Sequence, residues 1–496
     1  MTLRDRLSYC TTIFVLVVAC LLPVQSEATA STKLYVGQTA RLTAIIPSTW
    51  TPDETLKYDY AGHDGFIASW PVSLPASVQE SLDAACERVS RQELFGNAAE
   101  IEITTWRESP ACVVRSTSEQ ANRPAALVFA NPVSTAFGPK DYVGVVVDAD
   151  DFKEVTSSIS FDLSAVTSAL FLDSTIDYIA THSLWRDGED WPVVRSEAQK
   201  LLKEPNGNSL SAAVPAIQFV LERVKAAGGD GHNWLSPPTN GASLPTYLYI
   251  APTGTQLADG IGYLNIPGFL GAAESGNQFA TEIRTILAGE QDESGCGWIV
   301  DLRQNNGGNM YPMLTGLTPL LGAGTGVGFR DVTGISRFVV VNQNETIGGN
   351  TTLPGESLDS VIGEGAPAIA DAVSEQPVAV LIGPGTGSSG EAIAIAFASR
   401  DRTGFFGETT FGVPTSPTYL RLLDGSLLSV ATHWTTGPQG AIYPGGLRPD
   451  AEIPLTNLVY DAIGDDPVVQ AATAWLGEQT GCSPNMATPV PNGGGG

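Results

Sequence analysis

The chain has 496 residues, 43% of them apolar, with 26 basic against 53 acidic side chains and a formal net charge of −27. This length supports two or three domains with full cores, and the charge argues against nucleic acid or anionic lipid as main partner, since both need clustered lysine and arginine. Only His63, His182, His232 and His433 are available, with no His-Glu-x-x-His and no Cys-x-x-Cys, so no metal site and no cofactor is expected.

Residues 1–30 carry Arg4 and Arg6, an apolar stretch from Ile13 to Val24 and Ala28-Thr-Ala30, the pattern of a cleaved secretory signal that directs a protein to the periplasm or the extracellular space. A competing reading is a lipobox at Val17-Val-Ala-Cys20 that anchors the chain through Cys20; the apolar run continues through Leu21 and Leu22, which favours cleavage near Ala30. No later run is long enough to span a membrane. An exported chain with Cys86, Cys112, Cys296 and Cys482 left after processing suggests disulfides, with three connectivities open. Cys86 with Cys112 is favoured because both lie in one N-terminal region, and Cys296 with Cys482 follows by elimination.

Residues 31–160 read as a separate α+β domain: strands over Tyr58–Trp70, Ile101–Trp106, Cys112–Arg115, Ala125–Ala130 and Tyr142–Val147, with a helix from about Ser77 to Leu94. Residues 161–240 are helical, at Val166–Ile179, Trp191–Leu202 and Leu210–Val224. They end in the glycine-rich stop Gly228-Gly229-Asp230-Gly231-His232, which leaves His232 on a loop. Residues 241–476 alternate strands (Tyr247–Ile250, Ile261–Phe269, Gly297–Leu302, Val378–Ile382, Thr403–Phe406) with helices (Gly276–Leu287, Met310–Leu321, a helix opening near Ser388, Asp466–Leu476). That alternation predicts a multidomain α/β (α+β) chain with a layered β/α core. A glycine-rich insertion (322–375) contains a strand at Ser336–Val341, a hairpin turns at Asp424-Gly425, and residues 477–496 form a Pro/Gly/Asn-rich tail.

Chemistry concentrates at two corners. Asp301-Leu-Arg-Gln-Asn-Asn-Gly307-Gly308 and Gly383-Pro-Gly-Thr-Gly-Ser388-Ser389-Gly-Glu391 each end an apolar strand and start a helix, so both can aim unpaired backbone N–H groups at one sheet edge. Ser388 suits a nucleophile there, because the first helical turn favours developing negative charge; Ser388-x-x-Glu391 is equally a capping box.

In order, Gly262-Tyr263-Leu-Asn-Ile266 with Phe269, the Asp301–Gly308 run, Pro377–Glu391, Gly407-Glu408-Thr409-Thr-Phe-Gly412, Asp424-Gly425 and Gly446-Leu-Arg-Pro449-Asp450 resemble the tail-specific, carboxyl-terminal processing serine peptidases, over about residues 165–460. The resemblance implies a ClpP/crotonase-like core and a polypeptide substrate. It also implies Ser388 as nucleophile, with backbone N–H groups of Gly307 or Gly308 and of Ser389 as oxyanion hole. The serine–lysine members have a lysine where this chain has Val413, which accepts no proton. The tricorn-like branch uses a loop histidine instead, here His232, whose imidazole can deprotonate serine near neutral pH. That branch's glutamate is matched by Tyr443, so the orienting acid is open among Glu391, Glu408 and Asp230. No PDZ-like module separates His232 from the core. Two other readings stand beside this one: an α/β-hydrolase-like esterase using Ser388 and His433, which lacks the Gly-x-Ser-x-Gly elbow, and a degenerate homologue that only binds peptides.

Overall fold

Side chains that alternate between two cores build the N-terminal architecture. Within Ser109–Ser116, Ala111 and Val113 enter one apolar cluster while Cys112 and Val114 enter another, the two-residue period of a strand buried on both faces. The computed structural model describes residues 32–37, 42–53, 59–61, 66–71, 81–92, 95, 99–117, 124–130, 142–148, 151–238, 249–257, 260–271, 273–290, 295–334, 336–342, 345–350, 371–455 and 463–479. The chain divides into two compact units, Met1–Leu170 and Phe171–Gly496.

In the first unit β1 (Thr32–Gly37) and β2 (Leu42–Pro47) pair antiparallel. The strands β3 (Thr51–Pro52), β4 (Tyr60–Ala61), β5 (Phe66–Pro71), β6 (Ala99–Trp106), β7 (Ser109–Ser116), β8 (Pro124–Ala130) and β9 (Tyr142–Asp148) form one sheet in the order β3-β4-β5-β9-β8-β7-β6. Helix α1 (Leu82–Ser90) starts at Ser81, whose hydroxyl accepts from the Ala84 N–H (3.2 Å), and buries Ala85, Cys86 and Val89 on one face of that sheet. Cys86 and Cys112 are joined by a disulfide. α2 (Phe152–Ser158) follows β9. The sequence pattern did not announce β1, β2 or α2; at six or seven residues each, the periodicity that separates helix from strand is barely sampled. The signal region, Cys20, His63 and the tail from residue 480 lie outside the described residues.

The second unit begins helically, with α3 (Ser168–His182, within which the dividing line falls), α4 (Trp191–Gln199) and α5 (Val214–Ala226). The expected helix over 210–224 opens instead as a 3-10 turn, Leu210–Ala213. The strand β10 (Trp234–Ser236) leads to β11 (Thr253–Leu257), β12 (Ile261–Asn265), α6 (Ala273–Glu290), β13 (Gly297–Asp301) and α7 (Met310–Leu321). Then come β14 (Gly326–Arg330), β15 (Ser336–Asn342), β16 (Glu345–Asn350), β17 (Val378–Ile382), α8 (Ser389–Ala398), β18 (Thr403–Gly407), β19 (Thr415–Arg421), β20 (Leu427–Thr436), β21 (Ala451–Glu452) and α9 (Pro467–Gly477).

One sheet runs β11-β12-β13-β17-β18-β21, parallel except for β11. Ile283, Leu317 and Ile393 of α6, α7 and α8 cover one face, and Val468, Val469, Ala472 and Leu476 of α9 cover the other. Burial on both faces is why its central strands are near-continuous apolar runs. Tyr249–Ile250, expected as a strand, is not one; the edge strand is β11, whose Thr253, Gly254 and Thr255 are exposed and so carry no apolar signature. The second sheet is antiparallel, β10-β20-β14-β15-β16, with β19 also paired to β20, so the strands within the glycine-rich insertion extend it. Cys296 is buried and disulfide-bonded; Cys482 lies outside the described residues. No helix among the described residues is long and apolar enough to cross a membrane.

Candidate active site

Parallel registry brings the two glycine corners together. Val300 pairs with Val380 and Asp301 with Leu381, so the chain leaves β13 and β17 at the same edge of the sheet. The corners interlock: the Thr386 hydroxyl donates to the Leu302 carbonyl (2.8 Å) and the Gly387 N–H to that of Asn305 (2.9 Å). A Cβ at Gly390 would lie 2.2 Å from the Asn305 carbonyl oxygen, so this approach requires glycine. Behind the first corner the buried Arg303 guanidinium bridges Asp301 (2.6 Å) and Asp466 (2.7 Å), and Asp466 also caps α9 through the Val468 N–H.

Ser388 sits at φ 52°, ψ −116°, a sparsely populated conformation that costs about 1–3 kcal/mol and persists only where its surroundings enforce it. Glu391 enforces it. Its buried carboxylate accepts from the N–H groups of Ser388 (2.9 Å), Gly412 (3.0 Å) and Val413 (2.9 Å) and from the Thr410 hydroxyl (2.6 Å). Burial raises the pKa of this carboxyl and the four donors oppose that rise. Glu391 thus forms its half of the capping box, while the Ser388 hydroxyl is hydrogen-bonded to His232 Nε2 at 3.0 Å.

His232 reaches that hydroxyl because α5 stops one turn earlier. Gly228, at φ 107°, and Gly229 return their N–H groups to Lys225 and Val224. Asp230 Oδ1 then accepts from the His232 N–H (3.0 Å), and the Ser429 hydroxyl donates to the His232 carbonyl. On the far side of the ring, Nδ1 lies 2.7 Å from Thr415 Oγ1, and the Thr415 hydroxyl donates to Asp230 Oδ2 at 2.6 Å. Since the threonine proton goes to the carboxylate, its oxygen accepts from Nδ1–H. The neutral ring then turns its Nε2 lone pair to Ser388. Burial lowers the pKa of His232 below 6.5, against the opposing pull of Asp230, so the ring is a free base at neutral pH.

The other named residues separate. The Gly307 N–H is committed to Asn305 Oδ1 (3.1 Å), whereas those of Gly308 and Ser389 make no hydrogen bond among the described residues. The Ser389 hydroxyl donates to the Gly308 carbonyl (2.5 Å) and ties the two corners at that point. Of the three acids, Asp230 stands at the histidine and Glu391 is occupied by the elbow. Glu408 follows β18, with its N–H on the Ile382 carbonyl. His433 Nδ1 pairs with its neighbour's hydroxyl, Thr432 Oγ1, at 2.8 Å. No group of three or more metal-ligating side chains occurs among the described residues. Thr415 had no sequence signal: it lies 183 residues from His232, and an isolated threonine in a strand is ordinary.

Residues 260–453 match the model of peptidase family S41. The nisin-resistance protein of Lactococcus lactis subsp. lactis is 27% identical over 261 residues, 52% of this chain and 75% of that protein. A carboxyl-terminal-processing protease of Synechocystis sp. is 26% identical over 233 residues, 45% of this chain and 47% of that protein, so the match spans about half its length. Among solved structures, a lipoprotein from Streptococcus agalactiae superposes with a TM-score of 0.46 at 21% identity, over 63% of this chain and 96% of that one. The photosystem II D1 C-terminal processing protease gives 0.43 at 16%, over 62% and 97%. On the matched segment and these curated relatives, residues 260–453 form a peptidase family S41 domain, in line with the resemblance to the tail-specific, carboxyl-terminal processing peptidases.

Proposed function

We propose that this chain is an exported serine endopeptidase in which Ser388 attacks the peptide carbonyl, His232 is the general base, and Thr415 with Asp230 holds the imidazole in its reactive tautomer. The observation that carries the reading is the 3.0 Å hydrogen bond from the Ser388 hydroxyl to a half-buried histidine whose other nitrogen is already committed to a hydroxyl–carboxylate pair.

In the first half-reaction Ser388 Oγ bonds to the carbonyl carbon as its proton passes to His232 Nε2. The oxyanion lies against the N–H groups of Gly308 and Ser389, donors of a kind worth about 3–4 kcal/mol each in acyl transfer. The imidazolium then gives that proton to the leaving amine, and the C–N bond breaks. In the second half-reaction His232 takes a proton from water, the hydroxide displaces Ser388, and the serine recovers its proton. Gly307 is left out of the hole because its N–H is already bonded. The esterase alternative has no such support, since the Ser388 hydroxyl is engaged by His232 and not by His433. Export rests on the signal-like residues 1–30.

A serine-directed fluorophosphonate, followed by peptide mapping, tests this directly. We expect the label on Ser388 in the wild type, no turnover of peptide substrates in Ser388→Ala, and a loss of about 10²–10⁴-fold in His232→Ala. Full peptidase activity in purified Ser388→Ala would sink the proposal. Peptide binding without labelling would favour the non-catalytic reading.

A further inference from the structure

Exposed apolar surface rimmed by polar groups marks ligand-binding grooves as well as protein interfaces. Two exposed apolar side chains lie at the glycine corners that frame Ser388. Phe411 is 64% exposed, and Leu270 is 50% exposed. Neither is incidental to the corners. A Cβ at Gly387, in the elbow, would lie 3.3 Å from Phe411 Cβ, and one at Gly231, beside His232, would meet the far side of the same ring at 4.0 Å. Phe411 therefore lies between the elbow and the histidine loop. Leu270 touches the other corner: a Cβ at Gly308, whose N–H is a proposed oxyanion donor, would lie 3.1 Å from Leu270 Cγ.

Both side chains are held in place by backbone bonds that continue into the site. The Phe411 N–H donates to the Thr386 carbonyl (2.8 Å), and the next two N–H groups, those of Gly412 and Val413, are taken by Glu391. Next to Leu270, Phe269 bonds to the corner twice, through its N–H to the Gly307 carbonyl and through its carbonyl to the Asn309 N–H. Tyr249 and Phe279 pack edge-on and tilted around the Phe269 ring, so the segment that presents Leu270 is backed by an aromatic cluster. These are exposed apolar groups on rigid supports, which is how a specificity subsite is built.

We infer that Phe411 and Leu270 form apolar subsites on the two sides of the nucleophile, and that the substrates are polypeptides with a bulky apolar residue next to the scissile bond. The inference rests on the peptidase reading above. It adds the substrate feature that the two side chains would bury, since a large apolar residue of the substrate gains most where it covers apolar surface already fixed by the protein.

The test is digestion of a diverse peptide library by the full-length protein, with cleavage sites mapped by mass spectrometry and fluorophosphonate labelling of Ser388 run in parallel. The expected result is enrichment of Leu, Ile, Met, Phe or Tyr at one or both residues flanking the cut bonds. Phe411→Ala and Leu270→Ala should each lower that enrichment by about tenfold on the side each serves, as loss of an apolar contact in a specificity pocket does. Cleavage with no apolar enrichment, or enrichment untouched by both substitutions, overturns the inference. So does labelling of Ser388 in a protein that cuts no apolar-flanked peptide. Absence of both labelling and cleavage overturns the peptidase reading itself, and the inference with it. Both side chains are largely exposed, so their truncation leaves the core intact.

Discussion

Thr415 is the residue on which the proposed chemistry turns. Its hydroxyl is the link between His232 Nδ1 and Asp230 Oδ2, and the carboxylate itself is 3.9 Å from the imidazole nitrogen. Thr415→Val keeps the shape of the side chain and removes only the oxygen. It should lower kcat by roughly 10²-fold with little change in KM, because the ring loses its tautomer but not its place. Thr415→Ser should restore most of the rate. A valine variant with wild-type kcat would remove threonine from the mechanism. Charge at the same point sets the pH response. An imidazolium cannot accept the Ser388 proton, so kcat/KM should fall as pH drops through the depressed pKa of His232 and stay level above it, with a midpoint below 6.5. Asp230 pulls that pKa upward, so Asp230→Asn should move the limb further to acid while lowering the plateau. A limb that moved to higher pH would contradict this assignment of charges.

At the level of elements, one carboxylate fastens three pieces of chain. Glu391, in the first turn of α8, holds the Ser388 backbone on one side and residues 410–413 on the other. Glu391→Ala would leave three N–H groups and a hydroxyl without their acceptor in a buried setting, at a cost of about 3 kcal/mol or more. Urea unfolding should report that loss. Activity should fall further than stability predicts at low urea, because Ser388 would relax from its positive φ. The sequence showed Ser388-x-x-Glu391 as a capping box, and the glutamate does return to the serine N–H. What the motif could not reveal is the rest of its hydrogen bonding. The donors on Gly412 and Val413 lie more than twenty residues away along the chain, and they meet Glu391 only because β18 lies beside β17 and carries the following loop back over the helix.

For the whole molecule, the division into two compact units predicts separable stabilities. The Cys86–Cys112 disulfide spans 26 residues within the first unit, and closing a loop of that length stabilises by about 3.5 kcal/mol in the chain-entropy account. Replacing both cysteines with alanine should therefore lower the unfolding transition of the N-terminal unit, while fluorophosphonate labelling of Ser388 survives at temperatures where that unit has melted. Simultaneous loss of both signals would mean that the units unfold as one. The sequence by itself determined the features that short-range chemistry writes locally. These are the apolar runs of β12, β13 and β17, the glycine corners that must follow them, the helix stop that frees His232, and the order of motifs that marks the peptidase core. It named Ser388 and His232 through the resemblance to the tail-specific peptidases, since a serine at a strand-to-helix corner reads by itself equally as a cap and a histidine on a glycine loop equally as a solvated one. Only the tertiary structure decided which groups stand behind them. Asp230, Glu391 and Glu408 are equivalent as letters, and Thr415 is not marked at all. Choosing among them takes distances of a few ångströms between residues nearly two hundred positions apart, and these are fixed by the pairing of both β10, which follows His232, and β19, which opens at Thr415, with β20, not by any local preference of the chain.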